Sequence, residues 1–130
     1  MSPPPERPTR GQAEPIYRLK AEFFRLLGHP ARVRILELLR DGEQSVGELQ
    51  AALGLDSSGT SQHLTAMRRQ GLLDSRRAGT SVLYRVKDPR IFQLLEIAKQ
   101  ILTGRLEETR DLLDDLAAVP APTKSRHQRA

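Results

Sequence analysis

Cysteine and histidine would carry most metal and nucleophile chemistry, and this sequence is poor in both. It has no cysteine and only three histidines, His29, His63 and His127. Without thiols there can be no disulfide, thiolate metal site or cysteine nucleophile. The histidines are dispersed. His29 precedes Pro30 and reads as a helix-start residue, His63 adjoins Leu64 and reads as a packing or backbone-bonding group, and His127 lies near the C-terminus. Zinc takes about four converging ligands, and no such spacing occurs. Nor is there a Gly-rich phosphate loop, a nucleophile–base–acid set or a paired-carboxylate pocket. Glu107-Glu108 and Asp114-Asp115 suit the solvated side of a helix. The expectation is a non-enzyme with no cofactor and no metal.

The residues suited to recognition are short and polar. Ser57, Ser58, Ser61, Gln62 and Thr65 fall on one side of an expected helix, opposite Thr60, Leu64 and Met67. Each offers a donor and an acceptor, and none is bulky, so the face can approach a major groove and read base edges. Gly59 removes bulk near the same end. An ordinary solvated face would more often carry Glu and Lys.

The net charge is +5, and its distribution says more than its size. Acids and bases cancel up to Asp56, and acids lead between Asp88 and Ala118. Between Ser57 and Lys87 stand Arg68, Arg69, Arg76, Arg77, Arg85 and Lys87 against Asp74 alone. Such a block is the footprint of a phosphate-contacting surface. Arg68 and Arg69 end the polar helix, while Arg76, Arg77, Thr80, Ser81 and Arg85 belong to a hairpin pattern. All seven are candidates for phosphate contact or for insertion of the hairpin into the minor groove.

Five helices and one hairpin are expected to position these residues. Residues 1–15 are Pro-rich without apolar period, and read as a disordered arm. A first helix follows to Leu27, closed by Gly28, and a second starts at Pro30 and runs to about Arg40. Ser45 and Glu48 have capping-box spacing for a third, short helix ending at Gly54. Asp56 is the expected N-cap of the fourth, polar-faced helix, which reaches about Gln70. Alternation over 73–77 and 82–86 around Ala78-Gly79-Thr80-Ser81 predicts a two-stranded hairpin. A last helix follows Asp88-Pro89 to about Ala117, and residues 118–130 read as a disordered basic tail. The single folded domain is therefore 16–117. The first helix carries Ile16, Leu19, Phe23, Leu26 and Leu27. The last carries more apolar residues than a small core needs, among them Leu95, Ala98, Leu102, Leu106 and Leu113. Together with Leu19 and Phe23, these are expected to form an interface with a second copy. No apolar run approaches the ~20 residues of a membrane span, so a cytoplasmic protein is expected.

Three segments together resemble the ArsR (ArsR/SmtB) family of transcriptional repressors: Leu27 to Leu39 with its His29-Pro30-x-Arg32 core, Ser61 to Leu73, and Arg76 to Arg85. The resemblance spans about Tyr17 to Leu116. It implies a winged helix-turn-helix, mainly α with a small hairpin, dimerised through its first and last helices. It further implies operator binding by two recognition helices and release by a small-molecule or protein inducer. The family's metal positions are not matched. Where many members carry thiols, this chain has Ser45-Val46-Gly47-Glu48-Leu49, and where others have Asp-x-His on the last helix it has Asp88-Pro89-Arg90. The expected partners are double-stranded DNA and a second copy of the chain. The rival classes are a protein-binding module, which the basic hairpin disfavours, and an enzyme, for which no constellation exists.

Overall fold

The structure is a computed structural model that describes residues 2–4 and 14–118. The expectations for the N-terminal arm and the basic tail, including His127, fall almost entirely outside these residues. The chain divides into two compact units, Met1–Pro89 and Arg90–Ala130. The first contains α1 (Ile16–Leu27), α2 (Pro30–Leu38), β1 (Gln44–Ser45), α3 (Val46–Leu53), α4 (Ser57–Arg69), β2 (Leu73–Ala78) and β3 (Ser81–Val86). The second contains α5 (Arg90–Ala118). No helix of the described residues is long and apolar enough to cross a membrane.

α2, α3 and α4 each begin where the sequence offers a side-chain cap. His29 is extended and its Nδ1 accepts the Ala31 N–H at 3.1 Å, with Pro30 just inside the helix. Ser45 and Glu48 close a reciprocal capping box: Ser45 Oγ accepts the Glu48 N–H at 3.1 Å, and Glu48 Oε1 accepts the Ser45 N–H at 2.8 Å. Asp56 Oδ1 accepts the Gly59 N–H at 2.7 Å. α2 stops at Leu38, short of the expected Arg40. Gln44 Nε2 donates to the Leu38 carbonyl at 2.6 Å, supplying a partner that a further helical turn would have provided.

Ile35, Leu36, Leu49, Leu64, Met67 and Leu73 are fully buried, with Leu27, Leu39 and Tyr84 close behind. This core joins α2, α3, α4 and the sheet. Thr60 is buried among them, and its hydroxyl donates to the Asp56 carbonyl at 2.9 Å, so that hydroxyl is not stranded. Thr60, Leu64 and Met67 form the inner face of α4 that their spacing predicts.

The sheet departs from expectation. It has three antiparallel strands in the order β1-β3-β2 rather than the two of a simple hairpin. β2 and β3 pair from Leu73↔Val86 to Ala78↔Ser81, and Gly79 at φ +63° turns the corner. β1 adds two pairs, Gln44↔Tyr84 and Ser45↔Leu83. Two residues carry no readable alternation, and their partner lies far downstream, so the sequence alone hides this strand. It matters because a lone hairpin is marginal, and β1 ties this one to the N-terminus of α3.

Gly54 holds φ +68°, and a Cβ there would meet nothing within 4 Å. Its requirement for glycine is therefore conformational. Gly54→Ala is expected to cost about 1–2 kcal/mol, read as a lower urea midpoint with an unchanged slope.

Candidate nucleic-acid interface

α3 and α4 are joined by Gly54, Leu55 and Asp56 alone, and α4 rests on α3 through its apolar face. This is helix-turn-helix geometry, in which the second helix projects its free face outwards. The free face of α4 bears Ser57, Ser58, Ser61 and Gln62, all exposed, and the half-buried Thr65. Ser58, Ser61, Gln62, Thr65, Ala66 and Arg69 line an open groove of about 410 Å³ along the helix. Of the five residues expected to read bases, four line this groove, and Ser57 lies at the start of the helix. Ala66 is an addition. Its place one turn beyond Gln62 marks it as a member of the stripe, but an alanine carries no polar signal that singles it out.

The basic residues are not equivalent. Arg76 Nε and Nη2 each donate to a Glu43 carboxylate oxygen at 2.8 Å. This bidentate bond, helped by the charge of Arg76 and of Arg85, holds the Glu43 carboxyl below the usual carboxylate range, and burial opposes it only in part. Arg85 Nη2 donates to Asp74 Oδ2 at 2.9 Å, across the β2–β3 pair. Both ion pairs are solvent-exposed, so they orient more than they stabilise. Arg77 is exposed on the same strand as Arg76, and among the described residues no acid pairs with it. Thr80 and Ser81 are exposed at the hairpin tip. Arg68 and Arg69 are exposed in the last turn of α4, where cations also suit the helix dipole.

The residues expected at a dimer interface divide by exposure. Leu19 on α1 and Ala98, Leu102, Leu106 and Leu113 on α5 are exposed, whereas Phe23 and Leu95 are half-buried. Sequence reasoning missed other exposed apolar residues: Tyr17 and Phe24 on α1, and Ile97 on α5. Tyr17 and Phe24 lie off the single apolar stripe that a soluble helix needs, which is the signal that could have found them. Among the described residues no three His, Cys, Asp or Glu side chains come together as a metal-binding group.

Comparison with known proteins places this geometry in a family. A model of the bacterial regulatory protein arsR family matches residues 29–75. The chain is similar to Rv0081 of Mycobacterium tuberculosis strain H37Rv, an uncharacterized HTH-type transcriptional regulator. The two are 46% identical over 108 residues, spanning 82% of this chain and 95% of that one. The crystal structure of Rv0081 superposes with a TM-score of 0.68 at 47% identity, covering 75% and 98% of the two chains. A homodimeric winged helix-turn-helix DNA-binding domain from Mycobacterium bovis, a possible ArsR-family regulator, matches at 28% identity with a TM-score of 0.62. It covers 77% of this chain and 95% of its own. The transcriptional activator HlyU of Vibrio cholerae is 33% identical over 92 residues, 71% of this chain and 81% of the activator. Each of these relatives carries a name that describes a transcriptional regulator. The chain belongs to the ArsR family of bacterial regulatory proteins and is a DNA-binding transcriptional regulator built on a winged helix-turn-helix.

Proposed function

We propose that the protein is a homodimeric repressor that binds an inverted-repeat operator, with α4 of each protomer in a major groove and the β2–β3 wing against the flanking backbone. The observation that carries this reading is the α4 groove, polar, free of acid and rimmed by Arg69. Ser57, Ser58, Ser61, Gln62 and Thr65 read base edges, and Ala66 suits a thymine methyl group. Arg68, Arg69, Arg77, Thr80 and Ser81 contact phosphate, while Arg76 and Arg85 reach DNA from positions braced by Glu43 and Asp74. The exposed apolar residues of α1 and α5 supply the interface with the second copy. Two-fold symmetry then sets half-sites roughly one helical turn, ~34 Å, apart.

Repression needs nothing beyond occupancy of promoter DNA, although HlyU's name shows that an activator can share the fold. The control signal is not a metal at the family's known positions. On α3, Ser45 Oγ and Glu48 Oε1 are engaged in the capping box where the family's thiols would stand, and Asp88-Pro89-Arg90 places an arginine where a ligand would stand. Transcription in vitro from the gene's own upstream region, with footprinting, tests this reading. A symmetric footprint over the promoter with reduced transcript is expected, and added zinc should leave both unchanged. A rise in transcript would make the protein an activator.

Arg77→Ala should weaken binding to every duplex about equally and flatten the salt slope by about 0.9, the share of one phosphate. Arg76→Ala should change affinity less, because that side chain already has Glu43 as its partner. Salt titrations of the two variants side by side check the ranking.

A further inference from the structure

His29 and His63, far apart in sequence, come together with ring centroids 4.3 Å apart and planes tilted by 54°. Each ring uses its Nδ1 as an acceptor. His29 Nδ1 takes the Ala31 N–H and so caps α2. His63 Nδ1, on the recognition helix, takes the Arg32 Nε–H at 3.1 Å. Arg32 in turn donates through Nη1 to the Leu26 carbonyl, at 3.2 Å, in the last turn of α1. One guanidinium therefore links α1, α2 and α4. A guanidinium can only donate, so this link exists only while His63 Nδ1 keeps its lone pair. A proton on Nδ1 would set donor against donor and imidazolium against guanidinium.

The surroundings do nothing to relieve that conflict. From α2 and its cap, Arg32 and His29 face the ring. α1 contributes Glu22 and Arg25, which share a groove with Arg32 and Gln70 rather than with His63. On α3 the acid is Glu48, whose Oε1 takes the Ser45 N–H in the capping box. On β2, Asp74 and Arg76 are paired with Arg85 and Glu43, and Arg77 lies on the exposed wing. Burial, with the His29 and Arg32 charges behind it, holds the His63 imidazole below its ordinary value. The folded chain thus takes up this proton less readily than the unfolded one. The stabilisation is complete above the ordinary histidine value near 6.5 and is lost as the pH falls through the lower folded value.

We propose that the Arg32–His63 bond is a proton-sensitive latch on the recognition helix, so that mild acid loosens α4 from α2 and weakens the DNA binding inferred above. The sign is diagnostic. A histidine that merely faced DNA would gain positive charge in acid and bind phosphate more tightly.

The test uses the full chain and its His63→Gln variant, whose side-chain oxygen can accept from Arg32 but does not titrate. Anisotropy with a duplex from the gene's upstream region, at constant ionic strength, is compared between about pH 7.5 and about pH 5.5. Wild-type affinity should fall about fivefold or more on acidification, and that of the variant less than about twofold. Without DNA, the wild-type melting temperature should drop below that of the variant only at the lower pH. Equal losses in both proteins, or wild-type binding that is unchanged or tighter in acid, would overturn the latch. Because the latch rests on the DNA-binding reading, the melting comparison separates the two. No duplex binding at the higher pH, with the melting difference intact, defeats that reading and leaves the latch standing. Should the variant not fold, proton NMR titration of wild-type His63 decides. A midpoint below the ordinary histidine value supports the latch, and one at or above it removes the latch.

Discussion

Leu106→Glu is expected to yield a folded monomer that binds an inverted-repeat duplex about a hundredfold more weakly than the parent. Leu106 is 72% exposed, so the substitution removes nothing from the core and the helix should persist. In a dimer built on α5, the same side chain would be buried against its partner. An unpaired carboxylate there would cost several kcal/mol, enough to separate the protomers. A monomer then loses the avidity of two linked half-sites, which is worth about two to four orders of magnitude. Sedimentation equilibrium and anisotropy on the same preparation check both halves of the expectation. A variant that remains dimeric would move the interface away from the distal part of α5.

Gln62→Ala is expected to relax sequence preference at one base pair in each half-site. Gln62 is exposed in the middle of the α4 groove, one turn beyond Ser58. A glutamine amide can hold adenine through N6 and N7 at once, and such a bidentate contact is worth about 1–3 kcal/mol of discrimination. The affinity for the best duplex should fall by the corresponding factor, about fivefold to 150-fold. Affinity for duplexes changed at that position should barely move. This pattern is the opposite of the uniform loss expected for Arg77→Ala. A panel of duplexes varied one position at a time distinguishes them, and an unchanged preference would remove Gln62 from the base-reading set.

What the sequence made legible was local. Ser45 with Glu48, Asp56 before Ser57, and Thr60, Leu64 and Met67 on one face are signals confined to a helical turn or two, and each appears in the structure as its spacing predicts. The outward polar face of α4 follows from the same spacing. What stayed hidden was non-local. β1 is two residues whose strand identity comes entirely from β3. Arg76 is paired with Glu43, which folding brings to it from outside the hairpin. His63 was expected to pack or to bond the backbone. Its partner is instead the Arg32 side chain, which only the packing of α2 on α4 brings within reach. Tyr17 and Phe24 were not singled out for a related reason: the apolar residues of α1 are distributed over more than one face, and periodicity alone does not say which face the core takes.

Fluorescence anisotropy can show whether the charged, polar surface binds DNA selectively by sequence. A duplex from the gene's own upstream region is compared with a scrambled duplex of equal length, at low and at physiological salt, with and without a zinc chelator. Tighter binding to the upstream duplex, a steep weakening with salt and no effect of the chelator are expected. Equal binding to both duplexes, or binding indifferent to salt, would contradict selective binding by that surface.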